Sequence, residues 1–129
     1  MEYSEEVLDH FMHPRNAGGM ENPDAIGEVG NPQCGDIMKI YIKVDEQTQT
    51  ISDCKFQTFG CAAAIASSSV ATELIKGKNI KEAMKITNDN VLKILNGLPE
   101  KKLHCSLLAE EGIKKAINNY CADKNISLE

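Results

Sequence analysis

Three of the five cysteines stand where the chain changes character: Cys34 in Gln33-Cys34-Gly35-Asp36, Cys61 directly after Gly60, and Cys105 after Leu103-His104. Glycine beside two of them leaves the backbone room for a ligand to approach. With Asp36 and His104 the set offers three thiols, one carboxylate and one imidazole, soft enough for zinc or iron-sulfur chemistry and wrong for magnesium or calcium. The separations, 27 residues and then 44, match no zinc-finger pattern. Residue type, not spacing, therefore carries the reading. An odd cysteine count without a secretion signal also points away from a disulfide framework and towards metal or thiol chemistry.

The other two thiols and the remaining histidines read differently. Cys121 lies 16 residues beyond Cys105, which in a continuous helix is about 24 Å along the axis, too far to share an ion. Cys54 shares an alternating run with Phe56, and burial as a small hydrophobe is the common fate of such a thiol. His10 and His13 have no evident partner and read as surface residues. His104 and Cys105 are not a nucleophilic pair, because consecutive helical residues point about 100° apart.

Elements must bring the three cysteines together. Ser4 followed by Glu5, Glu6 and Val7 has the form of an N-cap and an acidic first turn, with Val7, Leu8 and Phe11 as an apolar stripe and Pro14 as the stop. Residues 15–24 read as a loop, and a short strand is expected around 26–29. Over 36–44, Met38, Ile40, Ile42 and Val44 alternate with Lys39, Tyr41 and Lys43, the pattern of a half-buried strand. After a polar turn, Ser52, Cys54, Phe56 and Thr58 share one face of a second strand, so the two runs form a hairpin. The Ala-rich stretch 61–76 ends at Gly77, which predicts a helix opening on Cys61. Two short helices follow over 79–86 and 89–95, each behind an Asn or Thr cap. The last helix runs from about 103 to 120 with Leu103, Leu107, Ile113, Ala116, Ile117 and Tyr120 inward. Strands precede helices, which predicts an α+β fold: a small antiparallel three-stranded sheet packed on one face by about five helices.

The 129 residues fit one domain, 1–129, able to bury a core without staples. A hydrophobic fraction of 42% and a charged fraction of 26% exclude disordered and fibrous classes. Lys and Arg number 14 against 19 Asp and Glu, and there is no tryptophan. Nucleic acid is excluded as a partner, because it would want a basic surface with stacking platforms. No apolar run approaches the roughly 18 residues of a membrane span, and the acidic N-terminus is no signal peptide, so a cytoplasmic protein is expected.

Tyr3-Ser4-Glu5-Glu6-Val7, His13-Pro14-Arg15-Asn16, Gln33-Cys34-Gly35-Asp36, Phe59-Gly60-Cys61-Ala62-Ala63-Ala64-Ile65-Ala66-Ser67-Ser68-Ser69 and Leu103-His104-Cys105-Ser106 together resemble the IscU/NifU family of iron-sulfur cluster assembly scaffolds. The likeness runs over nearly the whole chain, with the cysteine motifs in order. It implies a non-enzymatic role in which iron and sulfur from a pyridoxal-phosphate cysteine desulfurase of the IscS/NifS type are assembled into a labile 2Fe-2S cluster, later passed to apo iron-sulfur proteins. It further implies Cys34, Cys61 and Cys105 as ligands, Asp36 as the aspartate that keeps the cluster labile, and His104 as the alternative ligand. A mixed-ligand site is looser than four thiolates, as suits cargo that must leave. Zinc is expected on the same residues in aerobically isolated protein, and the oligomeric state is a monomer or a cluster-dependent dimer.

Two departures qualify the likeness. Members that release clusters through a dedicated chaperone pair carry Leu-Pro-Pro-Val-Lys before His-Cys, whereas this chain reads Leu98-Pro99-Glu100-Lys101-Lys102, which argues against that route. The segment is closer to the NifU branch, either as a stand-alone scaffold or as an N-terminal domain. The alternative function is a zinc-dependent sulfur acceptor like the SufU relatives, which carry an insertion before the third cysteine and lack the adjacent histidine; here the gap is 44 residues and His104 is present. A structural zinc domain is a third reading, disfavoured because a core of this size folds without metal. For sulfur transfer the attacking group is a thiolate. Cys105, at a helix start behind Lys101 and Lys102, is the expected persulfide acceptor, with Cys34 disfavoured by Asp36 and Cys61 shielded by its Ala-rich neighbours.

Overall fold

The computed structural model describes residues 3–31, 36–103 and 105–126, with the side chains of Asn31, Asp36, Lys101 and Cys105 outside that description. Ser4 caps helix α1 (Glu5–Met12), its hydroxyl accepting from the Val7 amide at 3.1 Å and donating to the Leu95 carbonyl. Val7 is buried, but Leu8 and Phe11 remain 48% and 38% exposed. The inward stripe runs through Ser4, Val7 and His10, one residue every third position, so the expected 7-8-11 face is corrected. His10 is no bare surface residue either: its Nδ1 lies 2.7 Å from the Ser69 hydroxyl, which also accepts from the Arg15 amide at 2.8 Å. Burial and the Arg15 charge hold the His10 imidazole below its ordinary pKa.

Strands β1 (Ala25–Asn31), β2 (Asp36–Asp45) and β3 (Thr50–Phe59) form an antiparallel meander in the order β1-β2-β3. Met38, Ile40, Ile42 and Val44 of β2 point into the core, as the alternation requires. In β3 the pairing shifts between Lys43 and Val44: Lys43 faces Asp53 and Val44 faces Ile51, leaving Ser52 as an extra residue. This bulge flips the alternation once. Ile51, Cys54 and Phe56 are therefore buried while Ser52 is exposed, which corrects the expected Ser52 face. The far edge of β3 is met by the loop after α1, where the Phe56 amide donates to Asn16 O and its carbonyl accepts from Gly18 N.

Helix α2 (Ala62–Ile75) is the centre of the helical layer. Two of its buried serines bond within one turn, Ser67 and Ser68 donating to the carbonyls of Ala63 and Ala64 at 2.7 Å, and the third, Ser69, meets His10 and Arg15, so burial leaves none of these hydroxyls orphaned. Gly77, with φ +87°, closes the helix as a left-handed residue. Helix α3 (Ile80–Ala83) is shorter than expected because Thr87 takes an extended conformation to cap α4 (Asn88–Leu95) in a capping box with Asn90. A single 3₁₀ turn, Glu100–Lys102, then leads to α5 (Cys105–Lys124).

In α5 the buried stripe is Leu108, Ala109, Ile113, Ala116, Ile117, Tyr120 and Cys121, and Leu103 and Leu107 are each 39% exposed. Leu103 precedes the helix, and counting back in threes and fours from Ile113 reaches Ala109 rather than Leu107, which explains the difference. The architecture is α+β with a three-stranded antiparallel sheet and five α-helices among the described residues. No helix among them is long and apolar enough to cross a membrane.

Candidate functional site

Three chain ends meet at one end of the sheet. Asn31 pairs with Asp36, so β1 ends where β2 begins. Ile37 pairs with Phe59, so β3 ends there too. Two residues beyond Phe59, Cys61 is the N-cap of α2, half-buried, its carbonyl accepting from the Ile65 amide at 3.1 Å. The expected shielding of Cys61 is partial: Ala63 and Ala64 turn into the core, while Cys61 and Ala62 are half-buried at the helix start.

Helix α5 runs antiparallel to β1, and two side chains fix its position along the strand. Lys115 Nζ donates to the Glu28 carbonyl at 2.9 Å and Asn119 Nδ2 to the Ile26 carbonyl at 2.8 Å. Four residues of helix rise about 6 Å and two residues of strand about 6.7 Å, so the two bonds keep step. Followed backwards, the helix brings Gly112 over Met38, Ile40 and Val29 and starts at Cys105 about 10.5 Å further on, towards the Asn31–Asp36 end. The start of α5 is held by polar contacts that sequence reasoning missed. Ser106 Oγ, fully buried, meets Asn88 Oδ1 and donates to Leu103 O at 2.8 Å, while the Asn88 amide donates to Glu110 Oε1 at 2.7 Å. Partners 18 and 22 residues apart leave no local spacing signal.

Of the five expected ligands, Asp36 opens β2, Cys61 caps α2 and Cys105 opens α5; Cys34 and His104 lie outside the described residues. Only the Cys61 side chain is described, and among the described residues no three His, Cys, Asp or Glu side chains group closely enough to hold a metal ion. The two cysteines set aside are elsewhere. Cys54 is fully buried on β3 and Cys121 is buried on α5, neither in a disulfide. Burial pushes both thiols above their ordinary pKa, which suppresses the nucleophilic thiolate. Beside Cys61 the strand ends carry exposed apolar side chains, Phe59 at 78% and Ile37 at 45%. They line a groove of about 530 Å³ together with Pro14, Ala17, Phe56 and Ile65.

The chain is 58% identical over 118 residues to the iron-sulfur cluster assembly scaffold protein IscU 1 of Archaeoglobus fulgidus, covering 92% of this chain and 76% of that one. It is 52% identical over 128 residues to the iron-sulfur cluster assembly scaffold protein IscU of Buchnera aphidicola, covering 97% and 98%. Among solved structures, a candidate SUF-system scaffold from Fervidobacterium islandicum superposes with a TM-score of 0.74 at 28% identity, over 89% of this chain and 96% of that one. The model of the NifU-like N terminal domain matches residues 2–127, and the chain belongs to that family.

Proposed function

We propose that this protein is a non-enzymatic scaffold on which a labile 2Fe-2S cluster is built and from which it is passed to apo-proteins. The observation that carries this is the 58% identity to a relative named as such a scaffold. The cluster is cargo, held by the thiolates of Cys34, Cys61 and Cys105 and completed by Asp36 or His104. One oxygen or nitrogen ligand among three sulfurs holds iron more loosely than four thiolates, so the site loads and releases. The same donors take zinc tetrahedrally when the protein is isolated in air. Iron arrives as substrate, and sulfur arrives from a cysteine desulfurase as a persulfide.

Cys105 is the thiol that first accepts that sulfur. Both Cys61 and Cys105 stand at helix starts, where unpaired backbone amides favour an anion; Lys101 and Lys102 precede Cys105 alone. Mass spectrometry after metal-free incubation with desulfurase and cysteine is expected to find the persulfide on Cys105. Finding it on Cys34 or Cys61, with Cys105→Ser labelled like wild type, overturns that assignment.

The scaffold reading is tested by anaerobic incubation with iron, cysteine and a desulfurase. A 2Fe-2S chromophore is expected on the wild type, transferable to an apo-ferredoxin and absent from Cys61→Ala. A second reading is a zinc-dependent sulfur acceptor of the SufU type, the branch to which the SUF-system neighbour is assigned by name. That reading is selected if no chromophore forms while zinc-loaded protein accelerates sulfur release by the desulfurase.

A further inference from the structure

Gly27 lies under the middle of α5, and the contact is backbone to backbone. A Cβ built on Gly27 falls 2.2 Å from the Gly112 carbonyl oxygen and 2.5 Å from the Ala116 nitrogen. Neither atom can turn aside as a side-chain tip can. At Gly112 itself the added Cβ meets the side chain of buried Ile40, Cγ1 at 2.9 Å, a smaller overlap. The two glycines therefore differ in degree: Gly27, with the larger overlap and against backbone, most limits how closely the helix axis approaches the sheet.

We infer that Gly27 is a positioning residue for Cys105, acting through α5, with Lys115 and Asn119 fixing the same helix along the strand. The inference rests on the reading of Cys105 as a ligand. Any side chain at Gly27 leaves a shortfall of at least about 1.2 Å between 2.2 Å and the 3.4 Å where ordinary contact begins, and the helix must move off β1 to make it up. Helix α5 is one unbroken element from Cys105 to Lys124, so a shift at Gly112 and Ala116 is carried to its first turn. Metal-ligand distances tolerate about 0.2 Å and a preorganised site about 0.5 Å. A displacement of about 1.2 Å exceeds both, and the strand-borne and helix-borne ligands then no longer meet one ion.

The test uses the full chain and Co²⁺ as the probe, read by thiolate-to-cobalt absorption, beside amide NMR shifts of metal-free protein. In Gly27→Ala the amides of Ser106, Leu107 and Leu108 are expected to move, and Co²⁺ affinity to fall tenfold to about a hundredfold, the range for residues that orient ligands. Ile117→Val, a buried change on the same helix chosen to lower the melting temperature, is expected to hold Co²⁺ as wild type does. Gly112→Ala is expected to weaken binding less than Gly27→Ala. Should Gly27→Ala fail to fold, Lys115→Met with Asn119→Leu, both exposed positions, tests the same coupling by freeing the helix along β1. Unmoved first-turn amides, or an affinity loss no greater than that of an equally destabilised control, overturns the inference. Wild-type Co²⁺ affinity in Cys105→Ala counts instead against the ligand reading, and the amide shifts then decide the positioning alone.

Discussion

The two ends of the sheet are built on opposite principles. At the far end the β2–β3 turn is stitched closed: Asp45 Oδ1 accepts from the amides of Gln47 and Thr48, the Ile51 amide donates to Lys78 O and the Ile80 amide to Gln49 O, and Lys124 pairs with Glu46 at 3.1 Å. At the near end three strands and two helices begin or stop together, half-buried Cys61 occupies the N-cap position of α2, and Phe59 and Ile37 face solvent. Hydrogen bonds are concentrated where the chain turns tightly, and the proposed cluster site lies where elements merely end and leave their termini open. The cysteines divide the same way, with Cys54 and Cys121 sealed in the core and Cys61 accessible.

The sharpest way to break this comparison is to exchange the fates of two thiols. Cys61→Ala is expected to abolish cluster assembly, followed by visible absorption, with little change in thermal stability. Cys54→Ala is expected to retain assembly but lose about 1–2 kcal/mol on denaturant unfolding, from lost burial and the cavity left behind. Equal loss of assembly in both would erase the distinction. Next in size is a contrast of side chains: Ile117→Ala, fully buried, should cost about 2–5 kcal/mol, and Phe59→Ala, 78% exposed, no more than about 0.5 kcal/mol.

A third measurement sharpens the thiol division without mutation. Alkylation of the native protein near pH 8 is expected to modify Cys61 and to spare Cys54 and Cys121 until the chain unfolds; labelling of Cys54 at the rate of Cys61 would contradict its burial. The smallest effect is a pH slope. The Cys54 and Cys121 thiols have folded pKa values raised above the ordinary 9.0 by burial. The stability each confers is therefore complete below pH 9 and declines as pH rises above it, by at most about 1.4 kcal/mol per pH unit for each group. Cys54→Ala should remove one proton's share of that slope in denaturant titrations at pH 9 to 11.

The near end was legible because it is written in local chemistry: an N-cap serine before acidic residues, a Gly-Cys step before an Ala-rich run, and alternating Met38, Ile40 and Ile42. What escaped was set by the third dimension. One extra residue at Ser52 reverses a strand's faces without changing its composition. The phase of α5 depends on where the helix begins, and a 3₁₀ turn moved that start past Leu103. His10 meets Ser69 across 59 residues of sequence, and no spacing rule reports such a partner. Cys34 and His104 rest on the motifs alone.

The docking of α5 on β1 also sets an order in time. Glu28 and Lys115, which meet through one hydrogen bond, are separated by 87 residues. At about 5–20 residues per second, β1 leaves the ribosome about 4–17 s before its helix can reach it. The meander can close early from neighbouring segments, but the end that gathers the cysteine-bearing elements stays unfinished until α5 has emerged. On the proposed ligand set, a nascent chain would offer passing metal ions only some of its donors until the last helix, with Cys105, has docked.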